Sequence, residues 1–192
     1  VATNNGDGTY TATYTLVIEN AGDVLLNNVQ VTDNLDNTFA GATSYVIDAA
    51  SSSDFTVNFP GFNGSTVQTL LSGTDSLAAS TAGSVELTVT VTPGANLGPY
   101  NNTATVDAES PSGTPLTDDS QLGSVADLNG NGDPTDDNAP TPLTFVEAPA
   151  VGVAKQISAG PVNNGDGTHT LTYLIRVENT GDVSLADVQI EE

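Results

Sequence analysis

One stretch of this chain occurs twice. Residues 4–33 read NNGDGTYTATYTLVIENAGDVLLNNVQVTD and residues 163–192 read NNGDGTHTLTYLIRVENTGDVSLADVQIEE, with 17 of 30 positions identical in an ungapped pairing. Asn4 pairs with Asn163, an offset of 159 residues. A match of that quality marks one structural unit beginning a second time. The 192 residues therefore read as a little more than one period of a tandem array. Val1 falls inside a repeat, so the chain is expected to be a window on something longer, with any secretion leader upstream of it.

The repeated stretch is patterned with period two. Tyr10, Ala12, Tyr14, Leu16 and Ile18 fall on one face, with Thr9, Thr11, Thr13, Thr15 and Val17 on the other. This is the signature of a half-buried strand in an antiparallel sheet. The second copy keeps it with Leu171, Tyr173, Ile175 and Val177. Each strand is preceded by NNGDG and followed by Glu-Asn-x-Gly-Asp, both rich in residues that reverse the chain. A second strand follows with Val24, Leu26, Val29 and Val31, and its apolar spacing slips at Asn27–Asn28, which predicts a bulge.

Further short strands are expected at roughly 43–48, 55–59, 66–71, 84–92 and 102–108, with a closing strand at 143–146. The clearest is 84–92, where Val85, Leu87, Val89 and Val91 alternate with Glu86, Thr88, Thr90 and Thr92 before Pro93-Gly94. No window carries sustained helical periodicity with caps, so almost no helix is expected. Many short strands between turns point to an all-β, two-sheet sandwich, with a β-barrel as the alternative. The division is 1–147 for one repeat unit, lacking its first strand, and 148–192 for the first strands of the next. Residues 149–158 are expected to serve as the first strand of the sandwich that follows, in the same chain or a neighbouring one.

GDGTYTATYTLVIENAGDVLLNNVQVTD, NTATVDAESPSGTPLTDDS and NGNGDPTDDNAPTPLTF together resemble the bacterial and archaeal surface repeats known as domain of unknown function 11. The resemblance implies an immunoglobulin-like sandwich repeated in tandem on secreted or cell-wall proteins. It implies no enzyme activity and carries no agreed ligand. Extracellular or cell-surface placement rests on this kinship.

Charge narrows the function further. The chain has 24 acidic residues against Lys155 and Arg176, a net charge of −22. Nucleic-acid binding needs a basic face, and anionic membrane surfaces repel such a chain. No run approaches the roughly 20 apolar residues of a membrane span. With no Cys, stability must come from packing, ions or neighbours. Self-repulsion of this size is relieved by bound cations.

The best place for such a cation is Asp127-Leu-Asn129-Gly-Asn131-Gly132-Asp133-Pro-Thr135-Asp136-Asp137-Asn138. Oxygen ligands at positions one, three and five, with Gly at six, follow the logic of a calcium loop. Position twelve is Asn138 where an EF-hand has a bidentate Glu, and no helices flank the loop. It is closer to the helix-free aspartate-rich loops of thrombospondin type 3 repeats. Asp118 and Asp119 are expected to supplement the ligand set of Asp127, Asn129, Asn131, Asp133, Asp136, Asp137 and Asn138, with Ca2+ as the ion. The plainer alternative is a solvated acidic linker over 118–142. Asp33 with Asp36, and Asp107 with Glu109, read as solvated charges at loop edges, with a supplementary ion ligand near a domain junction as the alternative.

Catalysis is not expected. Nucleophilic sites of the Ser–His–Asp or Cys–His kind need a fixed His or Cys. The chain's one His, His169, is replaced by Tyr10 in the first copy. Five Tyr and five Phe leave no evident sugar-stacking cleft for paired carboxylates. The expected role is a structural protein of a secreted or surface fibre, its units joined to copies of themselves head-to-tail. The alternative is a calcium-dependent adhesion module binding a carbohydrate or protein through its loops. Asn63-Gly-Ser65 and Asn101-Asn-Thr103 fit the N-glycosylation pattern.

Overall fold

The alternation over 84–92 is realised as a central strand whose apolar side is sealed. Val85, Leu87, Val89 and Val91 are each 0% exposed. Burial of this degree stabilises the fold by roughly 1.5–3 kcal/mol per side chain.

In the computed structural model, which describes residues 2–191, the elements are almost entirely strands. They run β1 (Thr3–Asn4), β2 (Tyr10–Asn20), β3 (Leu26–Asp33), α1 (Leu35–Thr38), β4 (Ser44–Ser51), β5 (Asp75–Leu77) and β6 (Thr81–Thr92). Then come β7 (Tyr100–Asn102), β8 (Ala104–Glu109), β9 (Pro115–Asp119), β10 (Thr141–Leu143), β11 (Val151–Asn163) and β12 (His169–Asn179). A single 3-10 turn covers Pro134–Asp136. Among the described residues no helix is long and apolar enough to cross a membrane. The chain divides into two compact units, Val1–Asn4 with Thr9–Phe145, and Asn5–Gly8 with Val146–Glu192.

The first unit is a sandwich of two four-stranded antiparallel sheets, ordered β1-β2-β6-β4 and β5-β3-β8-β9. With β2, β3, β6 and β8 in the B, C, E and F places, this is the immunoglobulin order. The sheets close on one core, to which the first supplies Tyr10, Ala12, Tyr14 and Ile18 and the second Val29, Val31, Ala104 and Ala108. The outer face of the first sheet carries cross-strand threonine pairs, Thr11 with Thr90 at 3.1 Å and Thr13 with Thr88 at 3.0 Å. At one end β10 pairs with β7, and Phe145 stacks between Tyr10 and Tyr100 at 4.7 and 5.6 Å.

The bulge lies where the spacing placed it. The register of β3 shifts between Leu26 and Val29 against β5, and between Asn27 and Gln30 against β8. Asn28 takes the left-handed conformation that this extra residue requires (φ 54°), and its Nδ2 donates to Glu109 Oε2.

The strands expected at 55–59 and 66–71 do not form; only the isolated bridges Val57↔Leu71 and Thr32↔Thr69 mark them. Side chains take over the ladder's work here. Gln30 Oε1 accepts from the Val31 and Leu71 amides while its Nε2 donates to the Leu71 carbonyl. Asp75 holds the Thr56 amide and Asn63 those of Ser65 and Val67. An irregular backbone so satisfied can still bury Phe55, Phe62, Leu70 and Leu71.

The second unit is a hairpin of β11 and β12, paired from Val151↔Asn179 to Asn163↔His169. Residues 149–158 thus contribute, from Val151 onward, the strand beside the one that follows them. The second copy repeats the first copy's local geometry. Gly165 and Gly167 have φ of 82° and 87°, against 81° and 87° at Gly6 and Gly8. Asn179 Nδ2 donates to the Val183 carbonyl at 2.7 Å, as Asn20 Nδ2 does to Val24 at 2.8 Å. Asp187, the counterpart of Asn28, has φ 53°. The bulged strand itself does not form among described residues 180–191. Its counterpart β3 is held between β5 and β8, and no described strand of the second unit plays those parts.

Candidate metal site

The aspartate-rich segment begins inside the sandwich. Asp118 and Asp119 end β9, paired across to Val106 and Thr105, so the loop leaves from a fixed strand. Ser120 ties that departure down, its amide donating to the Ala104 carbonyl and its Oγ accepting from the Ala104 amide. The neck of the loop is closed by Leu122 N to Ala139 O at 2.8 Å and by Ala139 N to Gln121 Oε1 at 2.7 Å. A neck of this kind makes 122–139 a folded loop and not the extended linker that its composition also allows.

Within it, Asp127 acts as the hub. Its Oδ1 accepts from the Gly130 and Asn131 amides and its Oδ2 from the Gly132 amide. Asn129 and Asn131 then point across the loop, their Nδ2 groups donating to Asp136 Oδ1 and Oδ2 at 3.1 and 2.9 Å. The Asn129 amide reaches Asp137 Oδ2. Five of the expected ligands, Asp127, Asn129, Asn131, Asp136 and Asp137, are therefore gathered into one bonded cluster. Asp133 turns instead to the Thr135 amide and hydroxyl, capping the 3-10 turn. Asn138 donates to the Thr135 carbonyl.

Asp118 and Asp119 differ. Asp119 Oδ1 accepts from Thr105 Oγ1 at 2.6 Å. Asp118 Oδ1 is buried with no hydrogen-bond partner. Its carboxyl is pushed above the usual range first by burial, against a backbone N–H bond from Asp119, and further by the charges of Asp119, Asp133 and Asp137. The loop's field thus reaches β9, and the nine residues form one negative region.

What this region can hold follows from its donors. All are hard oxygens, suited to Ca2+ or Mg2+ and unsuited to soft metals. A carboxylate has about four lone-pair positions, so Asp127 with three amide bonds and Asp136 with two retain capacity for an ion. Among the described residues, however, no three Asp, Glu or His side chains converge as a ready-made cage. Backbone and side-chain N–H dipoles face these carboxylates, and dipoles do not cancel the net charge of six aspartates. The only Lys and Arg of the chain lie away in sequence on β11 and β12, where Arg176 pairs with Glu178.

A second acidic group was not legible as such. Asp33, expected to be solvated, is fully buried at the end of β3. It accepts from Asn102 Nδ2 at 3.0 Å, and Asn102 Oδ1 in turn accepts from the Thr38 hydroxyl. Burial pushes its pKa up to about 6 despite the Asn102 bond. The signal was present in the alternation: Val29, Val31 and Asp33 share the inward face. Asp36 is the exposed member, its carboxyl held low by bonds from Ser65 and Tyr45. Asp107 and Glu109 are exposed as expected.

Comparison of the chain with protein families, with curated proteins and with solved structures finds no match in any of the three.

Proposed function

We propose that this chain is a non-enzymatic structural unit of a secreted or cell-surface fibre or stalk, built from tandem β-sandwich repeats that join head-to-tail. Calcium bound by the 118–138 region stiffens each repeat. The observation that carries the reading is the second copy, which repeats the turn and bulge geometry of the first at an offset of 159 residues. Val151, Val153, Ile157 and Val162 of the β11–β12 hairpin are 62, 71, 58 and 60% exposed, and Leu171 and Tyr173 are 40 and 45% exposed. A two-stranded hairpin with one apolar face is at best marginally stable alone, so that face is suited to pack against further strands. The resemblance to surface repeats supports placement outside the cell.

For calcium, the support is the gathered oxygen donors and the uncompensated charge. An ion that binds the folded state alone raises stability by RT ln(1 + [L]/Kd), about 2.7 kcal/mol at a hundredfold excess over Kd. Thermal melting and limited proteolysis of the 122–139 loop, with millimolar calcium and then with chelator, test the site. A higher melting temperature and slower loop cleavage with calcium are expected. Identical curves in both conditions refute calcium binding. Electron microscopy of concentrated chain tests the array: regular fibres are expected, and monodisperse particles at every concentration refute head-to-tail assembly.

A further inference from the structure

Three buried side chains from three elements form a chain of hydrogen bonds at one end of the sandwich. Asn102 of β7 is 4% exposed and its carboxamide is bonded at both ends. Its Oδ1 accepts from the hydroxyl of Thr38, the last residue of α1, at 2.6 Å. Its Nδ2 donates to Oδ2 of Asp33, the last residue of β3, at 3.0 Å. The other oxygen of Asp33 is buried with no hydrogen-bond partner among the described residues. A buried carboxyl that lacks a donor is stabilised by keeping its proton. Asn102 also borders a cavity that it shares with Tyr14, Leu16, Val31 and Ala104.

The second unit shows which side chain the repeat directs toward that cavity. Antiparallel partners stand on the same face, and β11 pairs Val153 with Val177, Lys155 with Ile175 and Ile157 with Tyr173. Subtracting the 159-residue offset turns those partners into Ile18, Leu16 and Tyr14, all on the core side of β2. β1 keeps the same register in the first unit: Thr3↔Thr11 and Asn4↔Tyr10 are Val162↔Thr170 and Asn163↔His169 less the offset. The chain's one lysine thus occupies a core-side position of the repeat, in an apolar run and opposite the Leu16 position. An ammonium taken out of water without a matched partner is costly. The carboxyl recurs in sequence as well, with Glu192 as the counterpart of Asp33.

We propose that the repeat closes on an isopeptide bond, joining a lysine at the position of Lys155 to an asparagine at the position of Asn102. The lysine Nζ, uncharged in an apolar setting, attacks Asn102 Cγ. Thr38 already donates to Asn102 Oδ1, where negative charge develops as the carbon becomes tetrahedral. The Asp33 carboxyl relays the proton, giving its own to Nδ2 and recovering one from Nζ. The Nζ–Cγ bond forms, the Cγ–Nδ2 bond breaks, and ammonia leaves. No oxidant or cofactor takes part. The product is a neutral amide, which removes the cost of a buried ammonium. It ties the strand beside β2 to β7, so tension along a repeat is carried by covalent bonds. The proposal takes from the proposed function the repeat alone, and needs neither the fibre nor calcium.

The test uses the chain with its repeat continued. Gly160 is the counterpart of Val1, so a copy of residues 149–159 placed directly before Val1 stays in frame. Intact-mass spectrometry of this extended chain should read one ammonia below the mass of its sequence, and fragmentation should place the loss at a link between the added lysine and Asn102. Lys155→Met in the added copy, or Asp33→Asn, should restore the full mass. The Lys155→Met copy cannot form the bond, so its melting temperature reports separately whether the added strand packs. An extended chain at full mass overturns the proposal. If the Lys155→Met copy still melts above the unextended chain, the repeat register stands without the bond; if it does not, the register falls too.

Discussion

Raising the pH from about 4 to about 7 should weaken the first unit through one residue, Asp33. Its folded pKa of about 6 stands above the ordinary 3.8, because burial penalises the ionised carboxylate more than the Asn102 bond favours it. Between these values the native state holds a proton that the unfolded state has released. The associated stability is therefore complete below the unfolded pKa and is lost as pH rises through the folded one. A shift of about two units at about 1.4 kcal/mol each gives a loss of about 3 kcal/mol. Other acidic residues also respond to pH, so the readout is the difference between wild type and Asp33→Asn. The variant introduces a constant offset, since its amide nitrogen takes the place of the partnerless Oδ1, but it removes the titration. Urea unfolding followed by circular dichroism at steps from about pH 3.5 to 7.5 should show the wild type losing about 3 kcal/mol relative to the variant, with the change centred between the two pKa values. A difference that stays flat across that range would refute the assignment of a raised carboxyl to this site.

The remaining expectations concern the core, the turn and the loop. Leu87→Ala, at a site with 0% exposure, should cost about 2–5 kcal/mol in unfolding free energy, while Val46→Ala at 59% exposure should stay within about 0.5 kcal/mol. Asn20→Ala removes the donor to the Val24 and Leu77 carbonyls and the acceptor of the Gly22 amide, so denaturant titration should show a loss of roughly 1–3 kcal/mol. Asp127→Ala should abolish any calcium-induced rise in melting temperature, because it removes the hub of the loop; an undiminished rise would place the ion elsewhere.

Legibility in the sequence followed from how each segment satisfies its backbone. β2 and β6 satisfy theirs by sheet pairing, and period-two alternation reports that directly. The slip at Asn27–Asn28 was readable because a bulge changes the count of residues between apolar positions. The strands expected at 55–59 and 66–71 do not form because Gln30, Asn58, Asn63 and Asp75 replace ladder bonds there, and nothing in an apolar run announces this. β9 went unseen because nearly all its side chains are exposed, which leaves no alternation to read. Asp33 escapes the expectation because a charge at a strand's end ordinarily marks the start of a loop, whereas the period of Val29 and Val31 carries it inward. In the aspartate-rich loop the alternate spacing of Asp127, Asn129 and Asn131 goes with one hydrogen-bonded cluster that also takes in Asp136. It did not reveal that Asp133 and Asn138 serve the Thr135 turn.

The carboxylate of Asp127 has a further effect, on how the loop ages. Where asparagine precedes glycine, the glycine nitrogen can attack the carboxamide carbon, ammonia departs through a cyclic imide, and an aspartyl or isoaspartyl residue remains; such asparagines are among the thermolabile residues. Asn129–Gly130 and Asn131–Gly132 are both of this type. Their glycine nitrogens are the very atoms that donate to Asp127, at 2.7 and 2.8 Å. The attacking species is the deprotonated nitrogen, and an amide proton bonded to a carboxylate is harder to remove, so one acidic side chain slows the chemical clock of two adjacent sites.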